Sequence, residues 1–185
     1  PYAALPQGRN PVKDFIPVAR VSDMLLNPGG AFEYNGGTYS YPDVKIVYWA
    51  GGNPFHHHQD LNRLVAAWDC PDTVIVHDWC WNATTRRADI VLPCTTMLER
   101  EDIGVTPRDP YAIAMSKAVQ PVGEARDDYD ILAGIARVMG VRDAFTEGRS
   151  SGEWVRFLWS ESQRRAATVG VELPDYDRFV EGRYL

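Results

Sequence analysis

The hydrophobic residues of this chain form short continuous runs separated by a helical pattern. Residues 45–50 read Lys-Ile-Val-Tyr-Trp-Ala, residues 73–77 read Thr-Val-Ile-Val-His, and residues 90–92 read Ile-Val-Leu. Such runs, without polar alternation, are typical of strands covered on both faces. Between the first two runs, apolar residues recur at helical spacing, which predicts a helix that begins near Asp60.

The order strand, helix, strand, loop, strand predicts a parallel sheet with right-handed crossovers. We therefore expect the α/β class, with a Rossmann-like parallel sheet and flanking helices. Three sections are predicted: a lead-in helix and hairpin at 1–44, an α/β core at 45–140, and a helical extension at 141–185.

Local signals predict the elements that precede and follow this core. Apolar residues between 18 and 25 have helical spacing, and Asn35-Gly36-Gly37 predicts a hairpin because tight turns of this kind need positive φ. Residues 112–119 are interpreted as a further strand.

Two helices are predicted from their ends. Asp127 or Asp128 is suited to cap a helix that ends at Gly140. Ser150 and Glu153 have the spacing of a capping box, which predicts a last helix.

Composition limits the classes of protein. The 185 residues, 45% of them hydrophobic, suffice for one globular domain with a sizeable core. No stretch approaches the roughly 20 apolar residues of a membrane span. The net charge is −6 and the basic residues are scattered, so nucleic-acid binding is disfavoured. Because the chain begins with Pro1 and ends abruptly at Leu185, we expect an internal fragment.

The cysteines do not indicate a metal site. Cys70, Cys80 and Cys94 are odd in number, and no Cys-x-x-Cys pair exists. We interpret them as reduced, mostly buried thiols.

The richest chemical signal is the segment that follows the first predicted strand, residues 51–60. It lies at the carboxyl edge of the sheet, where α/β proteins bind ligands. Gly51 and Gly52 let a ligand approach the backbone, and the N-terminus of the next helix suits a phosphate. His56-His57-His58 also permit a metal hypothesis, but adjacent side chains point in different directions, so hydrogen bonding to a ligand is favoured.

Carboxylates occur at the ends of the predicted strands. Asp78 follows the second strand and Asp89 precedes the third. Each can accept hydrogen bonds from the N–H groups of a guanine, or can cap a loop by accepting backbone N–H groups. Both interpretations remain open.

Other clusters have ordinary explanations. We interpret the acidic residues around Arg100, at positions 99–102, as a solvated face with internal pairing. The aromatic residues at 48–49, 79 and 81 are interpreted as core and interface rather than as a surface for stacking bases. No Gly-x-Ser-x-Gly segment indicates a serine nucleophile.

Four segments resemble the dimethyl sulfoxide reductase family of molybdopterin oxidoreductases, in the branch of biotin sulfoxide and trimethylamine N-oxide reductases. They are residues 48–63 (Tyr-Trp-Ala-Gly-Gly-Asn-Pro-Phe-His-His-His-Gln-Asp-Leu-Asn-Arg), 88–93 (Ala-Asp-Ile-Val-Leu-Pro), 98–103 (Leu-Glu-Arg-Glu-Asp-Ile) and 123–131 (Gly-Glu-Ala-Arg-Asp-Asp-Tyr-Asp-Ile). The resemblance covers about residues 10 to 160.

The resemblance implies a parent enzyme with two molybdopterin guanine dinucleotides around one molybdenum, which removes an oxygen atom from a small S-oxide or N-oxide. It implies an electron donor and further domains as partners. The serine that usually ligates molybdenum in this branch is not found here. We therefore expect the segment to form one wall of the cofactor site, to be inactive alone and to bind no cofactor in isolation.

The resemblance also assigns residues to the cofactor. It implies contacts to the pterin–phosphate portion from Gly51, Gly52, Asn53, Phe55 and His57. It further implies contacts to guanine, ribose or phosphate from His77, Asp78, Arg100 and either Asp127 or Asp128. Asp89 is a candidate of the same kind, with the shaping of its loop as the alternative.

One departure from the family changes the local charge. Where the family often reads Trp-Thr-Ala-Thr-Ala-Arg-His-Ala-Asp, residues 81–89 read Trp-Asn-Ala-Thr-Thr-Arg-Arg-Ala-Asp, so Arg87 replaces a histidine.

Either the cytoplasm or the periplasm of a bacterium is expected as the location, with the cytoplasm favoured. The alternative function is an independent nucleotide-binding or regulatory module without catalysis.

Overall fold

The computed structural model describes residues 2–12, 15–106, 108 and 111–185. The described residues form two compact units. The first is Arg9–Pro93, and the second combines Pro1–Gly8 with Cys94–Leu185. The boundaries of the three sections predicted from the sequence stay a prediction.

Among its described residues, the first unit contains eight helices and strands. They are α1 (Val21–Leu26), β1 (Ala31–Tyr34), β2 (Gly37–Ser40), β3 (Ile46–Ala50), α2 (Pro54–His57), α3 (Leu61–Trp68), β4 (Thr73–Asp78) and β5 (Ile90–Pro93). A 3-10 turn at Val18–Arg20 precedes α1, and a second one at Thr85–Arg87 precedes β5. The strands β3, β4 and β5 form a parallel sheet in that order, which confirms the predicted α/β class.

The core of this unit lies between the sheet and the helices α1 and α3. Leu64 and Trp68, one helical turn apart on α3, are buried against Val74 and Val76 of β4. The helix begins where the sequence predicts, because the Asp60 carboxylate accepts the backbone N–H of Arg63.

The second face of the sheet differs from the prediction. Ile46 is 61% exposed, and Tyr48 and Ile90 are also exposed. The expectation that the strands are covered on both faces is therefore wrong for these positions. Both helices pack on one face of the sheet, the face from which Val47 and Trp49 join the core.

The hairpin is confirmed. The strands β1 and β2 pair in antiparallel fashion, and Tyr34 lies opposite Gly37. Asn35 and Gly36 form the two-residue turn with φ values of 49° and 77°, the positive values that such a turn requires.

In the part of the second unit that the structure describes, a two-stranded ribbon is combined with four helices. Its elements are β6 (Asp102–Val105), β7 (Ala112–Met115), α4 (Asp128–Val138), α5 (Arg142–Thr146), α6 (Ser151–Ala167) and α7 (Tyr176–Gly182). Its core centres on Trp159 of α6, which stacks on Phe179 of α7 with 3.9 Å between ring centroids.

The ends of two elements test the sequence analysis. The Ser150 hydroxyl accepts the N–H of Glu153, whose side chain returns to the Ser150 N–H, so the capping box is confirmed. The predicted strand at 112–119 is too long, because β7 ends at Met115. Beyond it, the N–H groups of Ala118 and Val119 donate to the Leu98 carbonyl instead of to a neighbouring strand.

In the part of the chain that the structure describes, no helix has the length and apolar character needed to cross a bilayer.

Candidate functional site

The carboxyl end of β3 passes into a turn with unusual backbone geometry. Gly51 and Gly52 have φ values of 82° and 73°, which strongly favour glycine, and both residues are exposed. A Cβ atom added to either residue would meet no atom within 4 Å. The turn therefore presents open backbone to solvent at the edge of the sheet where α/β proteins bind ligands.

Asn53 joins this turn to the loop that follows β4. Its side-chain oxygen accepts a hydrogen bond of 2.6 Å from the Thr84 hydroxyl, and Thr84 is fully buried. The Asn53 carbonyl accepts the N–H of His56, which starts the short helix α2. The structure thus connects the carboxyl ends of two neighbouring strands through one buried side-chain contact.

Asp78 organises the loop in which Thr84 lies. One carboxylate oxygen accepts the N–H groups of Trp79 and Cys80, and the other accepts the Asn82 side-chain amide. These contacts are those of the loop-capping alternative. Asp78 therefore positions the loop, and any ligand contact would have to use the remaining lone pairs of its oxygens.

Asn82 and Thr84 were missed by sequence reasoning. The Asn82 side-chain oxygen accepts the N–H groups of Thr84 and Thr85, and the Thr85 hydroxyl accepts the N–H of Asn82. The Asn-x-Thr-Thr pattern was the available signal, because asparagine and threonine side chains bond the nearby backbone in turns.

His77 is buried within the sheet, and Asp89 lies away from the glycine turn. His77 is 2% exposed, and its Nε2 lies 2.5 Å from the Tyr48 hydroxyl. Asp89 lies at the amino end of β5, at the opposite edge of the sheet from the glycine turn. There its carboxylate accepts the Val74 N–H at 2.7 Å, so the structure does not bring Asp89 together with the other predicted residues.

Phe55 and His57 lie on opposite sides of the short helix α2. Phe55 is buried against Trp68, whereas His57 is exposed and its ring contacts that of His56 edge-on. The Arg87 guanidinium lies 5.2 Å from the centroid of the Phe55 ring. Among the described residues, no three His, Cys, Asp or Glu side chains are grouped to hold a metal ion.

The helix N-terminus that was expected to bind phosphate is separated from the glycine turn and is already capped. The first helix after the turn is the single turn Pro54–His57. The longer helix α3 follows only after Asp60, whose carboxylate already accepts the Arg63 N–H. A phosphate there would face a negative charge.

The tryptophans of the loop after β4 are not core residues. Trp79 is 67% exposed and Trp81 is 71% exposed, so the core interpretation is wrong for both. Asp78 turns the backbone directly after the strand and carries the two side chains into solvent. Trp49 packs against the buried Trp68, which confirms the core interpretation for Trp49.

In the second unit, the structure brings Arg100 and Asp127 together around Thr95. The Thr95 carbonyl accepts the Arg100 guanidinium at 3.1 Å, and its buried hydroxyl donates to Asp127 at 2.7 Å. Asp128 is half-buried at the start of α4. Burial raises the pKa of Asp130, and the Asp127 carboxylate adds to this effect.

Glu99 contradicts the interpretation of residues 99–102 as a solvated face. It is buried, and its carboxylate accepts the N–H and hydroxyl of Thr96 and the N–H of Val122. These donors hold its pKa below the ordinary value. The internal pairing is present, since Arg100 Nε lies 3.6 Å from the Asp102 carboxylate.

We expect Glu99→Gln to lower the melting temperature at neutral pH by roughly 2–4 °C. The amide replaces an acceptor oxygen with a donor, which would then face a backbone or hydroxyl donor. Because the folded pKa is lowered, this stabilisation is complete above the ordinary value of 4.5 and is lost as the pH falls through the folded pKa.

Thermal melts followed by circular dichroism between pH 3 and 7 check this expectation. The exposed neighbour Glu101, changed to glutamine, is the matched control. A pH-independent difference between wild type and Glu99→Gln would contradict the assigned role of the carboxylate.

The comparisons with known proteins identify the family of this chain. The profile of the molybdopterin oxidoreductase family matches residues 8–138. The chain belongs to the molybdopterin oxidoreductase family.

Curated relatives are similar over most of this chain. Biotin sulfoxide reductase of Cereibacter sphaeroides is 50% identical over 177 residues, which are 95% of this chain and 24% of the relative. The dimethyl sulfoxide/trimethylamine N-oxide reductase of the same organism is 52% identical, over 89% of this chain and 20% of the relative. Trimethylamine-N-oxide reductase of Haemophilus influenzae is 44% identical, over 90% and 20%. The chain thus spans about a fifth to a quarter of the length of these relatives.

A solved structure has a similar fold. Acetylene hydratase from Pelobacter acetylenicus superposes with a TM-score of 0.60 at 22% identity, covering 78% of this chain and 18% of that structure. At this identity the likeness concerns the fold alone.

Proposed function

We propose that this chain is a segment of a molybdenum enzyme that reduces S-oxides or N-oxides by oxygen-atom transfer. Within that enzyme, the segment contributes part of the site for a molybdopterin guanine dinucleotide. The observation that carries the proposal is the exposed Gly51-Gly52 turn at the carboxyl edge of the sheet, which the Asn53–Thr84 hydrogen bond holds in place. The names of the similar reductases supply the reaction class.

The residues of the first unit fit a ligand that carries phosphate and pterin groups. Gly51 and Gly52 have no side chain that would keep a ligand from their backbone, and an added Cβ would stand in open space. His57 is exposed on the same segment and can donate or accept a hydrogen bond. We assign these residues and Asn53 to the phosphate and pterin portion.

The second unit, taken by itself, carries charged side chains to which the family resemblance assigns nucleotide contacts. Arg100 is a cation of fixed position, because the Thr95 carbonyl holds its guanidinium. Asp127 and Asp128 carry carboxylates, which can accept the paired N–H groups of a guanine. When bound, the cofactor supplies the oxygen-atom transfer, and the residues of this chain bind and orient it.

An activity assay on the longer protein tests the reaction class. With a reduced viologen dye as electron donor, we expect the purified protein to reduce trimethylamine N-oxide, dimethyl sulfoxide or biotin sulfoxide. The physiological donor, the other domains of the protein and a cytoplasmic location belong to the proposal as well. Failure to reduce any S-oxide or N-oxide, in a preparation that contains molybdenum, would contradict the proposed activity.

For the isolated chain, we expect only weak binding of GMP. The segment provides part of a pocket, so much of the ligand would stay in water and most of the binding free energy would be missing. Calorimetric titration measures the affinity. A submicromolar dissociation constant would favour an independent nucleotide-binding module over a segment of a larger site.

A further inference from the structure

Arg87 stands out because its charge has no carboxylate partner among the described residues. It ends the 3-10 turn Thr85–Arg87, and its backbone N–H donates to the Thr84 carbonyl. Its side chain is exposed. Within the described part of the chain, the interaction of the guanidinium is with the Phe55 ring, and no carboxylate pairs with it.

The turn that carries Arg87 is fixed against the glycine turn at two points. At one end, the buried Thr84 hydroxyl donates to Asn53 at 2.6 Å. At the other, the Arg87 guanidinium lies over the Phe55 ring. Asn53 directly follows Gly52 and Phe55 comes two residues later, so Arg87 and Thr84 both contact the short segment that follows the glycine turn.

The Arg87 side chain is exposed, and its contact with Phe55 is to a ring without hydrogen-bond acceptors of its own, so its N–H donors remain available to a ligand. The N–H donors lie in the guanidinium plane, in a fork that matches two oxygens of a phosphate. Such a preorganised cation loses little side-chain freedom when an anion binds.

We propose that Arg87 binds a phosphate group of the ligand at the Gly51-Gly52 turn, an inference that rests on the proposed function. The chemistry it recognises is a phosphate monoester or diphosphate. The resembling family often has histidine at this position, whose charge depends on pH. Arg87 gives this chain a permanent positive charge and a paired-donor contact in the same place.

Titration of the 185-residue chain with inorganic pyrophosphate tests the inference. We expect wild type to bind with a dissociation constant in the millimolar range and Arg87→Gln to bind about tenfold more weakly, the loss of one charge-assisted contact. Arg87→Lys keeps the charge without the fork and should lie between the two. For Arg87→His, binding should strengthen as the pH falls below about 6.5.

Arg86→Gln is the matched control. Arg86 is the adjacent residue and its side chain is also exposed. Its change to glutamine removes the same charge from the chain. It should bind pyrophosphate within about twofold of wild type, since its general electrostatic effect is screened by salt. Thermal melts of both variants should coincide with wild type, because neither side chain is buried.

Equal weakening in Arg86→Gln and Arg87→Gln would overturn the inference, since only net charge would then matter. Absence of measurable binding by wild type would overturn it as well. The proposed function is judged separately by the molybdenum content of the longer protein. If the longer protein contains molybdenum but the Arg87→Gln chain binds pyrophosphate as tightly as wild type, the arginine contact is refuted and the proposed function stands.

Discussion

We expect the longer protein with Gly52→Ala to retain about one tenth of the wild-type molybdenum or less. A tenfold loss corresponds to about 1.4 kcal/mol of cofactor binding free energy. Gly52 has a φ of 73°, and its backbone is exposed at the carboxyl edge of the sheet. A methyl group there would stand in the open space through which a ligand approaches the backbone. The metal is measured by mass spectrometry on purified protein.

Gly29→Ala separates this effect from backbone strain. Gly29 has a φ of 77°, and an added Cβ there would likewise meet no neighbouring atom. Both alanines therefore incur a similar conformational cost, roughly 1 kcal/mol. We expect Gly29→Ala to keep its molybdenum. Equal retention by both variants would show that the glycine turn does not contact the cofactor.

Trp159→Ala should reduce the free energy of unfolding of the second unit by about 3–5 kcal/mol. The side chain is 1% exposed, stacks on Phe179, and donates its indole N–H to the Pro174 carbonyl. Its removal leaves a cavity, while the Pro174 carbonyl keeps its hydrogen bond from the Gln163 side-chain amide. Domains are usually stable by only about 5–15 kcal/mol, so a large part of the stability would be lost.

Urea denaturation followed by circular dichroism measures this loss. Trp81→Ala is the control, because Trp81 is 71% exposed and should change the stability by no more than about 0.5 kcal/mol. Similar unfolding midpoints for the two variants would contradict the core assignment of Trp159.

Local patterns in the sequence predicted most of the elements. The Asp60 cap, the Asn35-Gly36 turn and the Ser150 capping box each depend on neighbouring residues alone, and each is present in the structure. The parallel pairing of the sheet follows from the same kind of signal, since short apolar runs separated by a helix favour crossovers.

Two of the errors concern contacts between distant segments. Glu99 belongs to an acidic run in the sequence, yet it is buried because Val122, 23 residues later, donates to it. The predicted strand at 112–119 was too long because the N–H groups of Ala118 and Val119 donate to the Leu98 carbonyl and not to a neighbouring strand. Side-chain burial of this kind depends on tertiary packing, which periodicity does not encode.

The site was predictable in position more than in detail. The glycine turn lies at the carboxyl edge of the sheet, where the motif placed it. Asp78 and Asp89 were both predicted to contact the nucleotide, but the structure places them at opposite edges of the sheet, because one follows a strand and the other precedes one. The hydrogen bond from Thr84 to Asn53 joins residues 31 positions apart, and no pattern in the sequence indicates that these two residues are in contact.

The most direct test of the central claim is the cofactor content of the longer protein that carries this segment. Purified wild-type protein would be analysed for molybdenum and for GMP released by acid hydrolysis. If the segment forms part of a molybdopterin guanine dinucleotide site, both should be present, with about two GMP for each molybdenum as the family resemblance implies. Protein that contains molybdenum without GMP, or neither of them, would contradict the account.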